Sequence, residues 1–317
     1  MPGETRDGVE LTNLDQPLFD GAGATKRDLV DYLDRVSARI LPELAARPLS
    51  VIRVRPGQAA FMQKNVPKYA PDWIRTVAHW AESSKREVSY AVCDDRRTLL
   101  WFANQRAVEY HPALTTVARP EHMTYVVLDL DPPETDGFAM AVQVAQLVRR
   151  VLTDLGLDGA VKTSGAKGVH VFVPIAVDTA IADAAAATRA IAARTAALDP
   201  TLATTAFLKE DRDGKVFVDP TRVGGGTVIA AYSPRVRPGV PVSFPVDWGE
   251  LDRVAPADFT ILTAPAELEA RPDCWAARMP ARQTLPADLV AEGHTIPVPR
   301  VAAMHEGKRR ARARRSS

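Results

Sequence analysis

Five segments between residues 124 and 222 follow one another in an order that restricts the fold. A strand pattern is followed by a helix pattern, two short strands around a glycine turn, an alanine-rich helix and a final strand. This is an α+β order, and the short hairpin loop requires at least part of the sheet to be antiparallel. The segments are TYVVLDLD, GFAMAVQVAQLVRRVLTDLG, GAVKTSGAKGVHVFVPI, residues 179–198 and KVFVDPTR. The first helix ends at Gly156, in the position of a C-cap.

The residues before about 120 predict an α/β lobe. Thr25 fits the N-cap of an amphipathic helix, since apolar residues from Leu29 to Ile40 recur at helical spacing. SVIRVRP and VSYAVCD are typical of strands, whereas DWIRTVAHWAESSK is predicted as a short helix. Further along, GGTVIAAYS is predicted as a strand, and the chain from Pro234 to about residue 300 as irregular structure.

Composition excludes several classes of protein. With 317 residues, 46% hydrophobic and 25% charged, the chain is expected to be globular, and its net charge of +1 gives no overall signal for nucleic acid. The two cysteines, Cys93 and Cys274, are far apart and form no CxxC pair, so neither a disulfide framework nor a zinc site is indicated. There is no apolar leader and no uncharged apolar run long enough to span a membrane, which predicts a cytoplasmic protein.

The end of the sequence is strongly basic. Six lysine and arginine residues lie between positions 308 and 315. Such a tail is predicted to be disordered, and a phosphate backbone is its natural partner.

Asp129 and Asp131 end the first of the five segments. Side chains at i and i+2 of a strand point to the same face, so the two carboxylates are expected to lie side by side. Like charges repel, and two divalent metal ions about 3.5–4 Å apart are an arrangement that such a pair supports in phosphoryl transfer. The alternative, which this pair alone leaves open, is the solvated polar end of a strand.

The glycine turn of KTSGAKGVHVFV offers groups that a polyphosphate needs. Ser164 supplies a hydroxyl and Lys167 an ammonium, next to exposed backbone N–H groups, although the spacing is not that of a Walker A loop. His170 follows on the next strand. Taken alone, His170 is better explained as a structural histidine, but its position after the Ser164–Lys167 turn favours phosphate binding.

Two further segments carry charge that could complete such a site. In KVFVDPTR, Asp219 would supply a third carboxylate and Arg222 a guanidinium for a triphosphate, although Asp-Pro at the end of a strand is often only a turn. YSPRVRP adds Arg235 and Arg237, which could equally be surface charges, and VEYHP adds Glu109 and His111, each of which is, taken singly, more often a surface or capping residue.

The ordered set of these motifs resembles the archaeo-eukaryotic primase superfamily. The resemblance is to the polymerase domain of the bacterial end-joining ligase D, in a stand-alone form, and extends from about Leu11 to about residue 265. It is carried by LTN, ATKRDLVDYL, KNVPKYAPDW, VEYHP, LDLDPPE, TSGAKGVHVFVP, VFVDPTR and AAYSPRVRPGVPVSFPVDWGEL.

The resemblance implies a two-lobed primase-polymerase fold with an RRM-like catalytic sheet. The N-terminal lobe would cover residues 1–120, the catalytic part about 121–265 and a wrapping segment the chain to 300, before the tail at 301–317. It also implies a nucleotidyltransferase that extends primers and fills short gaps in DNA repair, with a preference for ribonucleoside over deoxyribonucleoside triphosphates. A separate DNA ligase is one partner that it suggests, since no KxDG adenylation motif occurs. The end-joining protein Ku is the other.

The site residues follow from the same resemblance. Asp129, Asp131 and Asp219 would bind two divalent ions, manganese or magnesium. The nucleotide would be bound by His111, Ser164, Lys167, His170, Arg222 and Arg235, and the DNA by Lys26, Phe61, Lys64 and Arg237.

Three departures from the family pattern bear on DNA and nucleotide binding. Gln16 stands where these domains commonly have a lysine for the 5′-phosphate of a gap, so recognition of that phosphate is in doubt. Met62 replaces the second of two phenylalanines, one of which stacks on the template, and Val223 replaces an asparagine. Base stacking on an aromatic ring is worth about 1–3 kcal/mol, so the template is expected to bind more weakly or elsewhere.

Two other functions fit part of the sequence. LDLD after an apolar strand is also how phosphatases of the haloacid dehalogenase type begin, but those enzymes need Asp-x-Asp-Gly, and here Asp131 precedes two prolines. The second is a DNA-binding protein without catalytic activity, acting through the basic tail.

Overall fold

The computed structural model describes residues 4–81, 86–133, 137–224 and 226–298. Its helices are α1 (Lys26–Arg35), α2 (Ser37–Leu44), α3 (Arg96–Asn104), α4 (Phe138–Asp154), α5 (Ile181–Leu198), α6 (Ala264–Ala270), α7 (Cys274–Arg278) and α8 (Ala287–Thr295). Its strands are β1 (Glu4–Arg6), β2 (Val9–Leu11), β3 (Pro48–Arg55), β4 (Gln58–Gln63), β5 (Thr76–Ala81), β6 (Arg86–Val92), β7 (Ala107–Pro112), β8 (Tyr125–Asp131), β9 (Ala160–Thr163), β10 (Val169–Pro174), β11 (Ala203–Thr204), β12 (Val216–Asp219) and β13 (Pro245–Val246). Among these described residues, no helix is long and apolar enough to cross a membrane. The basic tail lies outside them.

The chain divides into two compact units, and both are discontinuous in sequence. Unit 1 consists of residues 1–120, 162–166 and 227–278, and unit 2 of residues 121–161, 167–226 and 279–317. Residues 227–278 thus belong with the N-terminal part of the chain, whereas the sequence-based division assigned most of them to the catalytic part. The functional boundaries of the domain stay a prediction.

Unit 1 is built on a sheet in which β4, β3, β6 and β5 are neighbours in that order and β7 also pairs with β3. The predicted amphipathic helix is α1, which begins at Thr25. The Thr25 side chain accepts from the backbone N–H of Asp28, and the Asp28 carboxylate accepts from the N–H of Thr25, so the first turn has a complete capping box. The apolar face of α1 is buried, and the Tyr32 hydroxyl donates to the Tyr232 carbonyl at 2.8 Å.

Unit 2 contains the succession of elements that the sequence predicted. β8, α4, β9, β10, α5 and β12 form a βαββαβ unit, and the strands lie in the order β11-β12-β8-β10-β9. The four main strands therefore have the order 4-1-3-2, which is the ferredoxin-like arrangement shared by RRM sheets. β8 is the central strand of the three that carry the candidate catalytic residues, and it is antiparallel to both β10 and β12. The prediction of an α+β fold with an RRM-like sheet is confirmed.

Three local predictions were wrong. The segment predicted as a helix from Asp72 is strand β5, because its β-branched and aromatic residues pair along their whole length with β6. The strand predicted in GGTVIAAYS is absent from its described residues except for an isolated bridge at Thr227, since Tyr232 has a positive φ of 66° that turns the chain. The predicted irregular stretch to residue 300 contains α6, α7 and α8, and α6 has proline in its first turn, where no hydrogen-bond donor is needed.

A candidate nucleotidyl-transfer site

Strand pairing in unit 2 brings three of the predicted residues into one row. His170 of β10 lies directly opposite Asp129 of β8, and Asp219 of β12 lies opposite Asp129 on its other side. Directly paired residues of antiparallel strands project to the same face, so Asp129 stands between a histidine and a second carboxylate. Asp131 is two residues further along the same face.

The carboxylates of this row are paired with cations. The guanidinium of Arg222 lies 2.9 Å from Oδ2 of Asp129 and 3.5 Å from Oδ2 of Asp219. Nε2 of His170 is 3.3 Å from Oδ1 of Asp129. Arg222 is nearly half exposed, whereas the side chain of Asp219 is only 11% exposed.

The pKa values of Asp129 and Asp219 are shifted in opposite directions. Burial would raise the pKa of Asp129, but the neighbouring His170 and Arg222 outweigh it and hold that pKa well below its usual range. The pKa of Asp219 is raised by burial and by the charge of Asp129, against a hydrogen bond from Thr221 and the charge of Arg222. Asp129 is therefore the more strongly ionised of the two.

Asp131 has its own pair of cations. The ammonium of Lys167 lies 3.1 Å from Oδ1 and also donates to the carbonyl of Pro132 at 2.7 Å. Nη1 of Arg212 lies 3.0 Å from Oδ2. Arg212 reaches Asp131 because its guanidinium stacks 4.0 Å from the ring centroid of Phe217, the residue paired with Asp131 on β12.

Arg212 was missed by the sequence interpretation. It lies in a loop of alternating acids and bases, where nothing distinguishes it from a surface charge. Only the pairing of Phe217 with Asp131 places it beside the carboxylate.

The donor set fits divalent ions by its chemistry. Carboxylate oxygens are the ligands that magnesium and manganese prefer, and three of them occupy two adjacent strands. As they stand, however, the carboxylates face Arg222, Lys167 and Arg212, and among the described residues no group of three or more His, Cys, Asp or Glu side chains could hold a metal ion. Metal ions that bind to these carboxylates would therefore have to displace Arg222, Lys167 and Arg212 from them.

The other predicted nucleotide ligands belong to unit 1. His111 and Arg235 both contact the carboxylate of Glu109. Nε2 of His111 lies 2.9 Å from Oε2 of Glu109, and Nε of Arg235 lies 3.5 Å from Oε1. The Ser164 hydroxyl accepts from the N–H of Ala166 at 3.2 Å. Gly165 has a φ of 67°, and a Cβ there would lie 2.8 Å from Cγ of Arg235, so only glycine lets the arginine pack against this turn.

The predicted DNA-binding residues lie in unit 1 and differ in exposure. Lys64 and Arg237 are exposed, and the ring of Phe61 is partly covered by the guanidinium of Arg55, 5.0 Å from its centroid. Lys26, in contrast, is only 3% exposed, and its ammonium donates to Oδ1 of Asn104 at 2.7 Å and to a backbone carbonyl. Burial and the charge of Arg106 lower the pKa of Lys26 to about 8.

The burial of Lys26 predicts a weak response to a 5′-phosphate. Its donors are already engaged within unit 1, and Gln16 cannot replace a cation because its side-chain oxygen accepts from Arg106 at 2.7 Å. We expect gapped duplexes with and without a 5′-phosphate to be extended with kcat/KM values within about threefold of each other. Steady-state extension of the two substrates measures this, and a preference above about thirtyfold for the phosphorylated gap would contradict it.

Comparison with known proteins gives a consistent result. A sequence model of the LigD primase-polymerase domain matches residues 25–275. The bifunctional non-homologous end joining protein LigD of Bacillus subtilis is 35% identical over 260 residues, which cover 80% of this chain and 41% of that protein. The multifunctional non-homologous end joining DNA repair protein LigD of Mycobacterium tuberculosis is 36% identical over 265 residues, covering 80% of this chain and 34% of that protein. The chain thus spans about a third to two fifths of the length of these relatives.

A solved structure matches over most of the chain. The polymerase domain of Mycobacterium tuberculosis ligase D, in complex with DNA, has a TM-score of 0.79 and 33% sequence identity to this chain. The match covers 87% of this chain and 100% of that domain.

Proposed function

Because the chain belongs to the LigD primase-polymerase domain family and is thereby a nucleotidyltransferase, we propose that it extends primers and fills short gaps in DNA repair, with a preference for ribonucleotides. The observation that carries the proposal is the row His170–Asp129–Asp219 on three adjacent strands, with Asp131 on the same face. This arrangement places carboxylate oxygens, the proposed metal ligands, beside cations that we propose bind the phosphates.

The three carboxylates would hold the catalytic metals. Asp129, Asp131 and Asp219 are the proposed ligands of two divalent ions, manganese or magnesium. Ions bound there would supply the positive charge that lowers the pKa of a primer 3′-hydroxyl and stabilises the leaving pyrophosphate. The low pKa of Asp129 keeps it ionised and able to bind metal throughout the neutral range.

The cations that now pair with the carboxylates would bind the triphosphate. Lys167 and Arg222 have side chains that are 33% and 45% exposed, so both can exchange a carboxylate for a phosphate oxygen without unfolding their surroundings. His170 is almost fully buried and would act mainly by orienting Asp129. Ser164, Arg235 and His111 of unit 1 are also proposed to bind the nucleotide.

Primer extension tests the proposal. Purified protein is incubated with a recessed or gapped duplex, ribonucleoside or deoxyribonucleoside triphosphates, and manganese, magnesium or a chelator. We expect extension that depends on the template and the metal, is prevented by the chelator and is faster with ribonucleotides. DNA binding without extension would favour the non-catalytic alternative, and hydrolysis of p-nitrophenyl phosphate without extension would favour the phosphatase.

The partners are proposed on the same basis. A gapped or broken duplex would be the substrate, since the matching solved structure is a polymerase domain in complex with DNA. A DNA ligase and Ku, acting as separate chains, are proposed to seal the product and to bring the enzyme to broken ends.

The basic tail is proposed as an additional DNA contact. We expect deletion of residues 305–317, which lie outside the described residues, to weaken DNA affinity and to reduce its dependence on salt, because each lysine or arginine that contacts a phosphate releases condensed counterions. The measurement is the dissociation constant over a series of salt concentrations. An unchanged slope would show that the tail does not contact phosphates.

A further inference from the structure

Glu109 is a buried carboxylate to which the proposed function gives no role. It lies on β7 and is only 4% exposed. One of its oxygens is 2.9 Å from Nε2 of His111, and the other accepts from the N–H of Val236 at 2.9 Å and lies 3.5 Å from Nε of Arg235. The single side chain of Glu109 therefore contacts two residues that are proposed to bind the nucleotide, His111 and Arg235.

The hydrogen bond to Glu109 determines which nitrogen of His111 carries a proton. Burial would raise the pKa of Glu109, but the hydrogen bond from His111 and the charge of Arg235 outweigh it and lower that pKa. An ionised carboxylate can only accept, so Nε2 of His111 must be the donor. Nδ1 is then the nitrogen left for another partner.

The remaining surroundings of His111 favour a neutral ring. Burial lowers the pKa of His111, and the nearby Arg235 and Lys162 add to this effect, whereas Glu109 opposes it. In a neutral imidazole with the proton on Nε2, Nδ1 is a hydrogen-bond acceptor. A hydroxyl group is the partner that such an acceptor suits.

We propose that Glu109 is a positioning residue: it holds His111 so that Nδ1 accepts a hydrogen bond from a sugar hydroxyl of the incoming nucleotide, and it holds Arg235 in the same cluster. The inference rests on the proposed function, which assigns both residues to the nucleotide. A ribose has a 2′-hydroxyl that a deoxyribose lacks, so this hydrogen bond contributes to ribonucleotide preference. Loss of a donor from a site built to bind it leaves a buried acceptor unpaired, which is why one hydroxyl can discriminate.

Two substitutions separate this role from a purely structural one. Glu109→Gln keeps the size of the side chain but has only one acceptor oxygen, so it cannot serve both His111 and Val236. We expect the ratio of kcat/KM for ribonucleotides to that for deoxyribonucleotides to fall on the order of tenfold, mainly through KM for ribonucleotides, the scale of one hydrogen bond. Glu87→Gln on β6, where the side chain is exposed, is the matched control and should leave the ratio unchanged.

A double substitution tests whether Glu109 acts through His111. In a His111→Ala background, Glu109→Gln should cause no further change in the ratio. A further tenfold fall in that background, or an unchanged ratio in a folded Glu109→Gln protein, would overturn the proposal. If Glu109→Gln does not fold, Glu109→Asp replaces it, since aspartate keeps the charge but withdraws the carboxylate by one methylene.

Nitrogen-15 NMR of the histidine rings tests the inference independently of activity. The wild-type protein should show His111 protonated at Nε2, assigned by loss of the signal in His111→Ala, and the Glu109 variant should lose this preference. Protonation at Nδ1 in the wild type would overturn the inference even if extension is observed. If the wild type extends no primer, the proposed function fails, while the tautomer measurement still decides whether Glu109 fixes the protonated nitrogen of His111.

Discussion

Replacing Asp129 or Asp131 with alanine is expected to reduce primer extension on the order of 10³-fold or more, with a change in DNA affinity of less than about threefold. Each substitution removes a proposed metal ligand, and metal charge at the transferring phosphate contributes several kcal/mol to transition-state stabilisation. DNA affinity depends mainly on cations that contact phosphates, which these variants retain. Single-turnover extension with manganese and fluorescence anisotropy with the same duplex give the two quantities.

The control for this experiment is Asp178→Ala. Asp178 is exposed and lies in unit 2 after β10, so its replacement should leave both quantities unchanged. Robust extension by both Asp129→Ala and Asp131→Ala would contradict the two-metal mechanism.

Gly168→Ala is expected to lower the free energy of unfolding by about 3 kcal/mol and to impair extension as well. A Cβ at Gly168 would lie 2.2 Å from the carbonyl oxygen of Leu130, far inside van der Waals contact, and the obstacle is backbone of the neighbouring strand. Relief requires β10 to move away from β8, which would separate His170 from Asp129. Urea denaturation measures the stability, and extension at a temperature where the variant is folded measures the effect on the site.

The matched substitution is Gly249→Ala. A Cβ at Gly249 meets no heavy atom within 4 Å, and its φ lies outside the left-handed region. This variant should be within about 0.5 kcal/mol of the wild type. Equal stability of Gly168→Ala and Gly249→Ala would show that β8 and β10 can separate at this point at little cost.

The fold was predictable where local patterns agree with tertiary structure. The helix from Lys26 and the helix that ends before Gly156 both have strong periodicity and a complete terminal signal, and both were predicted correctly. The segment DWIRTVAHWAESSK was predicted as a short helix. The strand that it forms depends on pairing with β6, which the local sequence does not encode.

The candidate site was predictable as a set of residues but not as an arrangement. The i, i+2 spacing places Asp129 and Asp131 on one face, and this follows from strand geometry alone. That Asp219 is directly opposite Asp129 depends on the register between β8 and β12, two strands far apart in sequence, which only the whole sheet determines. The burial of Lys26 could likewise not be predicted from the sequence, because a lysine in the first turn of a helix is usually exposed.

The repeated passage of the chain between its two units limits how the gene can be divided. The polypeptide changes unit five times, and one visit lasts only from residue 162 to residue 166. Neither unit can therefore be produced from a continuous fragment that omits the other. A chain truncated after residue 278 would keep all of unit 1 but would lose residues 279–317 of unit 2. Recombination that exchanges modules between proteins would therefore have to transfer the residues of both units together.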